Sequence, residues 1–134
     1  LVRNNIAVMG HLGVLPQSAK NFKFKGKKIS ERNKILNEAK LLESAGVFSM
    51  VLECVESSLA KKITKNINIP TIGIGASNNC DGQVLVTDDL IGLNPINVRF
   101  VKKYSNIRNE IVKAVRNYSI EVKNKKFPLK KHSY

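Results

Sequence analysis

No apolar run in this chain approaches the roughly 20 residues that a membrane helix needs, so spanning helices are not expected. The opening Leu1-Val2-Arg3-Asn4-Asn5 also lacks the charged-then-apolar layout of a secretory leader, and a cytoplasmic protein is the expectation. It starts without Met, inside a strand-like stretch, which suggests a truncated or split gene product. Cysteine is scarce: there are two in 134 residues, and neither Cys54 nor Cys80 stands in a C-x-x-C pair, which argues against a disulfide framework. Both read as reduced thiols, Cys54 as a small core residue of an apolar strand and Cys80 as a more exposed residue of a polar loop. Acidic side chains are few as well, ten against 23 Lys and Arg, for a formal charge of +13. Such a surplus invites a nucleic-acid partner, but its distribution argues against one. Most of the lysines fall in four separate places: the Lys20 to Lys28 loop, Lys61-Lys62, Lys102-Lys103, and Lys123 to Lys131. Aromatics interleave with base only in Phe22-Lys23-Phe24-Lys25.

What is present suffices for one compact domain, with 43% hydrophobic and 25% charged residues. Ile6-Ala7-Val8-Met9 reads as a buried strand breaking into Gly10-His11-Leu12-Gly13, which places His11 at the strand's C-terminal end. Residues 14–29 form a long polar connection, a kind of loop that is often functional. Ser30 is a plausible N-cap for an amphipathic helix in which Ile35, Leu36, Ala39, Leu42 and Ala45 recur at helical spacing before Gly46. A second apolar run, Phe48 to Val55, is interrupted by Glu53. Ser57 or Ser58 then caps a helix whose apolar face is Leu59, Ile63 and Ile67. Pro70 to Gly75 gives a third strand and Val84-Leu85-Val86 a fourth. Phe100, Val101, Tyr104, Ile107, Ile111, Val115, Tyr118 and Val122 predict a long helix over about 98–123, followed by a basic tail at 124–134 in which His132 is solvated.

Strands alternating with helices indicate parallel βαβ units in an α/β fold. Continuous apolar strands fit a sheet covered on both faces, either a barrel or a doubly wound sheet. The barrel is preferred because His11, Glu53 and the Gly75 turn all fall at strand C-terminal ends, the rim where (β/α)8 barrels carry their chemistry. Four strands make only half of such a barrel.

Glu53 is the main anomaly. A carboxylate within Met-Val-Leu-Glu-Cys-Val either faces solvent, joins a structural ion pair, or is held in a polar pocket, because burying an unpaired charge is costly. In the pocket it would be a partly desolvated general base suited to proton abstraction beside a carbonyl. His11 is either a satisfied structural histidine or a donor to a ligand that the flanking glycines let approach. Gly73-Ile74-Gly75-Ala76 is neither a dinucleotide fingerprint nor a Walker A loop, and its glycines read as permitting tight packing. Asp81, Asp88 and Asp89 lack a coordinating pattern, and the last two read as turn or capping residues.

Three segments in order carry a family resemblance: Val8-Met9-Gly10-His11-Leu12-Gly13 with Pro16-Gln17-Ser18; Val51-Leu52-Glu53-Cys54-Val55; and Pro70-Thr71-Ile72-Gly73-Ile74-Gly75-Ala76 leading to Cys80-Asp81-Gly82-Gln83-Val84-Leu85-Val86. Together with Phe127-Pro128 and His132-Ser133-Tyr134 they resemble the ketopantoate hydroxymethyltransferases. The resemblance implies a (β/α)8 TIM barrel of the phosphoenolpyruvate/pyruvate-binding type, of which this chain supplies about the C-terminal half. It also implies transfer of a hydroxymethyl group from 5,10-methylenetetrahydrofolate to 3-methyl-2-oxobutanoate, giving 2-dehydropantoate in pantothenate biosynthesis. In that chemistry Glu53 matches the catalytic base that acts at C3 of the keto acid, His11 matches a substrate-contacting histidine, and Mg²⁺ stabilises the enolate. The family's Mg²⁺-organising carboxylates belong to its N-terminal half, so no metal ligand is assigned in this chain. Four positions depart from the pattern: Leu15 for Thr, Glu56 for Pro, Ser77 for Gly, and Lys131 for an acidic residue. A half-barrel leaves two strand edges unpaired, so a homo-oligomer or a partner N-terminal half is expected. The rival readings are a noncatalytic half-barrel remnant or assembly module, and a basic nucleic-acid-binding domain.

Overall fold

The computed structural model describes residues 1–16 and 23–134, which divide into two compact units, Leu1–Leu85 and Val86–Tyr134. Gln17, Ser18, Lys20 and Phe22, which enter the readings above, lie outside the described residues.

The first unit is a parallel sheet in the order β1-β2-β3-β4, formed by Met9–Gly13, Ser49–Glu53, Thr71–Ile74 and Gly82–Gln83. Neighbours in sequence are neighbours in the sheet throughout. A doubly wound sheet needs a reversal of strand order. None occurs among the described strands, and the α/β architecture is consistent with half of a (β/α) barrel. Helices α1 (Ile29–Ser44) and α2 (Ser57–Asn66) make the first two crossovers, whereas β3 reaches β4 through residues 75–81 with no helix.

The strand period of two sorts residues onto two faces. Register pairs Gly10 with Met50 and Leu12 with Leu52, and Met50 with Thr71. On this face Leu12, Met50 and Leu52 pack with Ile35 and Ala39 of α1 and Leu59, Ala60 and Ile63 of α2 into the hydrophobic core. Met50, Leu52, Leu59 and Ile63 are among the largest fully buried side chains. The opposite face carries Met9, His11, Gly13, Val51, Glu53, Ile72 and Ile74, and is only partly covered: Met9 is exposed, and Val51, Ile72 and Ile74 are half-buried.

Several element boundaries differ from the sequence expectation, each because hydrogen bonding overrides the hydropathy pattern. β1 begins at Met9 rather than Ile6, where its ladder with β2 starts, so His11 sits inside the strand and not at its end. β4 is Gly82–Gln83, while Val84 and Val86 are exposed. Ser30 lies within the first turn of α1, which has Lys28 at its N-cap without a side-chain bond. Neither serine caps α2. Glu56 does, accepting from the Ser58 and Leu59 amides at 3.1 and 3.0 Å. Cys80 is buried rather than exposed.

In the second unit, α3 (Thr87–Leu90) precedes α4 (Ile107–Lys123), which starts well after Val98. The backbone amides of Tyr104 and Ile107 donate to the Leu90 and Ile91 carbonyls at the end of α3, so the intervening segment satisfies its polar groups outside a helix. Asp89 is buried and accepts from Asn94 Nδ2 at 2.8 Å, while the Asp88 carbonyl receives the Leu93 amide, in keeping with turn roles. The tail is anchored to its own helix by Phe127, whose ring packs edge-on to Tyr118 at 5.6 Å and beside His132 at 5.4 Å. Among the described residues no helix is long and apolar enough to cross a membrane.

Candidate functional site

Glu53 is the last residue of β2, and the register that pairs Gly13 with Glu53 puts His11 diagonally across from it on the same face. A slip of one residue would turn Glu53 into the hydrophobic core. The structure thus brings together the two residues singled out in the sequence: His11 Nε2 lies 3.2 Å from Glu53 Oε2. Their exposures differ. The Glu53 side chain is 9% accessible and that of His11 34%, so the carboxylate is nearly buried and the imidazole ring more open. Although the two atoms are in ion-pair range, Nε2 makes no aligned hydrogen bond and is counted among the unpartnered buried polar atoms. The distance establishes adjacency: Nε2 is turned inward beside the carboxylate, and the accessible part of the imidazole is the rest of its ring. A nearly buried carboxylate beside such a nitrogen, on a half-open apolar face, can take a proton from a carbon acid held against Val51, Ile72 and Ile74.

The backbone around Glu53 is specified from both sides. Its carbonyl accepts the Val14 amide at 2.9 Å, and the next residue, Cys54, adopts φ 51 while donating its amide to the Ile74 carbonyl at 2.8 Å. Gly13 has φ +103, and a Cβ added there would fall 2.0 Å from the Glu53 carbonyl oxygen, so only glycine permits β1 to close against the site. Burial, and secondarily the Glu53 carboxylate, push the Cys54 thiol above its ordinary 9.0, which keeps it protonated and unreactive.

The strand-end glycines behave as packing devices. A Cβ on Gly73 would meet the Gln83 side-chain amide at 2.9 Å and Cys80 Sγ at 3.2 Å. Sequence reasoning named Asp81 but gave it no role; its carboxylate receives the Thr71 amide at 2.8 Å and the Thr71 hydroxyl at 3.0 Å. These bonds hold it below the ordinary carboxylate range and fasten the helix-free return to the start of β3. It also passed over Glu56 as a functional element, naming it only as a departure. No signal short of three-dimensional contact marks its partner, Arg32. Among the described residues no group of three or more His, Cys, Asp or Glu side chains is placed to hold a metal ion.

Comparison with known proteins gives a consistent result. The family model described as ketopantoate hydroxymethyltransferase matches residues 1–130. A 3-methyl-2-oxobutanoate hydroxymethyltransferase of Pelagibacter ubique (strain HTCC1062) is 69% identical over 134 residues, which is 100% of this chain and 52% of that protein. The correspondingly named protein of Carboxydothermus hydrogenoformans is 49% identical over all of this chain and 50% of its own length. That of Pseudothermotoga lettingae is 48% identical over all of this chain and 52% of its length. The chain therefore spans about half the length of the curated relatives it matches.

Proposed function

The chain belongs to the ketopantoate hydroxymethyltransferase family, and from that premise we propose that it supplies the proton-abstracting half of a cytoplasmic hydroxymethyltransferase. The reaction is transfer of a hydroxymethyl group from 5,10-methylenetetrahydrofolate to 3-methyl-2-oxobutanoate, yielding 2-dehydropantoate and tetrahydrofolate with consumption of one water. The observation that carries this reading is the His11–Glu53 pair at 3.2 Å on the partly open sheet face.

Each residue has a defined task. Glu53 removes the proton at C3 of the keto acid, and its low accessibility limits competing hydration of the carboxylate. His11 contacts the keto acid with the accessible part of its imidazole and so helps to place C3 over the carboxylate. The C3 electron pair then forms the new carbon–carbon bond with the folate-borne one-carbon unit. Val51, Ile72 and Ile74 line the same face and accommodate the branched aliphatic end of the substrate.

Mg²⁺ does not fit a site built from the described residues alone, since no suitable ligand cluster exists among them. Its ligands are assigned, within this proposal, to the half of the barrel that the chain's relatives have and this chain does not span. Completion by that half, and assembly into an oligomer, would cover the outer edges of β1 and β4.

The test is deuterium incorporation at C3 of 3-methyl-2-oxobutanoate in D₂O with Mg²⁺, followed by proton NMR without folate. Exchange above the metal-only control, lost in Glu53→Gln with the fold retained, is the expected outcome. Near-normal exchange by Glu53→Gln refutes the base assignment.

A further inference from the structure

We propose that Arg32 and Glu56 form a clasp that positions Glu53, which makes both of them positioning residues of the site. The role in turnover rests on the base reading above, but the geometric claim does not.

The clasp joins three pieces of chain. Arg32, in the first turns of α1, donates through Nη1 to the Glu56 carboxylate and to the Gly26 carbonyl at 3.2 Å, and through Nη2 to Ser58 Oγ at 2.9 Å. Glu56 in turn accepts from the Ser58 amide, the Ser58 hydroxyl and the Leu59 amide at 3.1, 2.7 and 3.0 Å. Gly26 is also tied to α1 through its amide, which donates to Glu31 Oε2 at 2.8 Å. One guanidinium therefore holds the start of α1, the start of α2 and the returning end of the β1–α1 connection together. Its planar fork is suited to this, because an ammonium cannot span the three acceptors in fixed geometry.

The segment so held is the one that braces Glu53. Lys25, directly before Gly26, pairs with Val55 as a parallel bridge, donating to the Cys54 carbonyl at 2.7 Å and accepting from the Glu56 amide at 2.8 Å. Between these bonds Cys54 is kept at φ 51, a left-handed conformation that a residue with a Cβ adopts only when its surroundings impose it. That turn fixes the direction in which the chain leaves β2, and with it the aim of the Glu53 side chain toward His11. With the Val14 amide on the Glu53 carbonyl from the other side, the two ends of the β1–α1 connection are bonded to Glu53, which ends β2, and to Cys54, which follows it. The Arg32 and Glu56 side chains are each 29% accessible, so the ion pair is partly shielded from solvent.

A plain helix cap would account for Glu56 but not for Arg32, and two conservative variants separate the roles. Glu56→Asp retains a good N-cap residue while shortening its reach to Arg32. Arg32→Lys keeps the charge and loses the fork. The experiment uses the 134-residue chain, isotope-labelled, and follows the cross-peak between the His11 ring proton Hε1 and the Glu53 γ-methylene. A Thr64–Thr71 cross-peak, whose hydroxyls lie 2.9 Å apart, reports an intact fold in the same spectra. Loss of the His11–Glu53 cross-peak in both variants, with the Thr64–Thr71 signal kept, supports the clasp. Its persistence at wild-type strength in both variants overturns it, whatever the catalytic result. In the C3 exchange assay the clasp predicts a fall in turnover on the order of 10- to 100-fold with little change in KM. A lost cross-peak with exchange unchanged keeps the clasp and instead removes Glu53 as base, and a wild-type chain without exchange leaves the cross-peaks to decide.

Discussion

Of two alanine substitutions on one short strand, Gly13→Ala should destabilise the fold and Gly10→Ala should leave it nearly unchanged. At Gly13 the backbone has φ +103, and the new Cβ would lie 2.0 Å from the Glu53 carbonyl oxygen and 2.8 Å from Val55 Cγ2. The disfavoured conformation costs about 1–3 kcal/mol for a residue bearing a Cβ. Displacing the Glu53 carbonyl also sacrifices the bond from the Val14 amide, worth about 1 kcal/mol. The sum is about 2–4 kcal/mol, and the backbone that must move is that of the proposed base. At Gly10 the new Cβ meets only Leu42 Cδ1 at 3.3 Å, Val47 Cγ2 at 3.4 Å and Met50 Cγ at 3.7 Å, side-chain atoms that can give by a few tenths of an ångström. The lower unfolded-state entropy of alanine, about 0.4–1 kcal/mol, offsets that adjustment, so the net change at Gly10 should be near zero. Urea denaturation followed by circular dichroism measures both. With a slope of about 2 kcal/mol/M, Gly13→Ala should lower the midpoint by about 1–2 M, and Gly10→Ala by less than about 0.5 M. Equal midpoints for the two variants would falsify the claim that Gly13 is required by the close approach to Glu53.

Other outcomes follow from the charged groups. Ser58 and then Arg32 hold the Glu56 carboxyl at about 2, against an ordinary 4.5. Its contribution to stability is therefore complete above about pH 5 and is lost as pH falls from 4.5 toward 2. For this partly exposed group it should amount to only about 1–2 kcal/mol after solvent screening. Glu56→Gln should flatten the acid limb of a stability-versus-pH curve in that window; an unchanged limb refutes the assignment. Asp81→Ala strips the buried Thr71 amide of its acceptor and should cost about 1–3 kcal/mol in urea denaturation, with local hydrogen exchange fastest at Thr71. The scattered lysines predict weak binding to nonspecific duplex DNA at physiological salt, and salt-resistant tight binding in a fluorescence titration would contradict the nucleic-acid argument.

Local patterns in the sequence were enough to find α1, α2, β2, β3 and the body of α4, but not β4, which was expected two residues later, or α3. Helical spacing of Ile35, Leu36, Ala39 and Leu42 located α1, and the apolar runs located β2 and β3. The α/β class follows from their alternation. His11 and Glu53 stood out because a polar residue within an apolar run demands a reason, and the motif order carried the family. Where each element begins depended on partners distant in sequence. Pairing with Ser49–Glu53 started β1 at Met9 and drew His11 into the strand. The amides of 104 and 107, given to the end of α3, delayed α4 until Ile107. Glu56 in place of a serine as the cap of α2 was equally hidden, because its carboxylate reaches forward onto amides that only the folded turn presents, and Arg32 approaches it from another helix. Hydropathy and local propensity are properties of neighbouring residues and can be read along the chain. Register, the 3.2 Å approach of His11 to Glu53, and the clasp beside it come from ladders and side chains that meet only once the parallel sheet has formed.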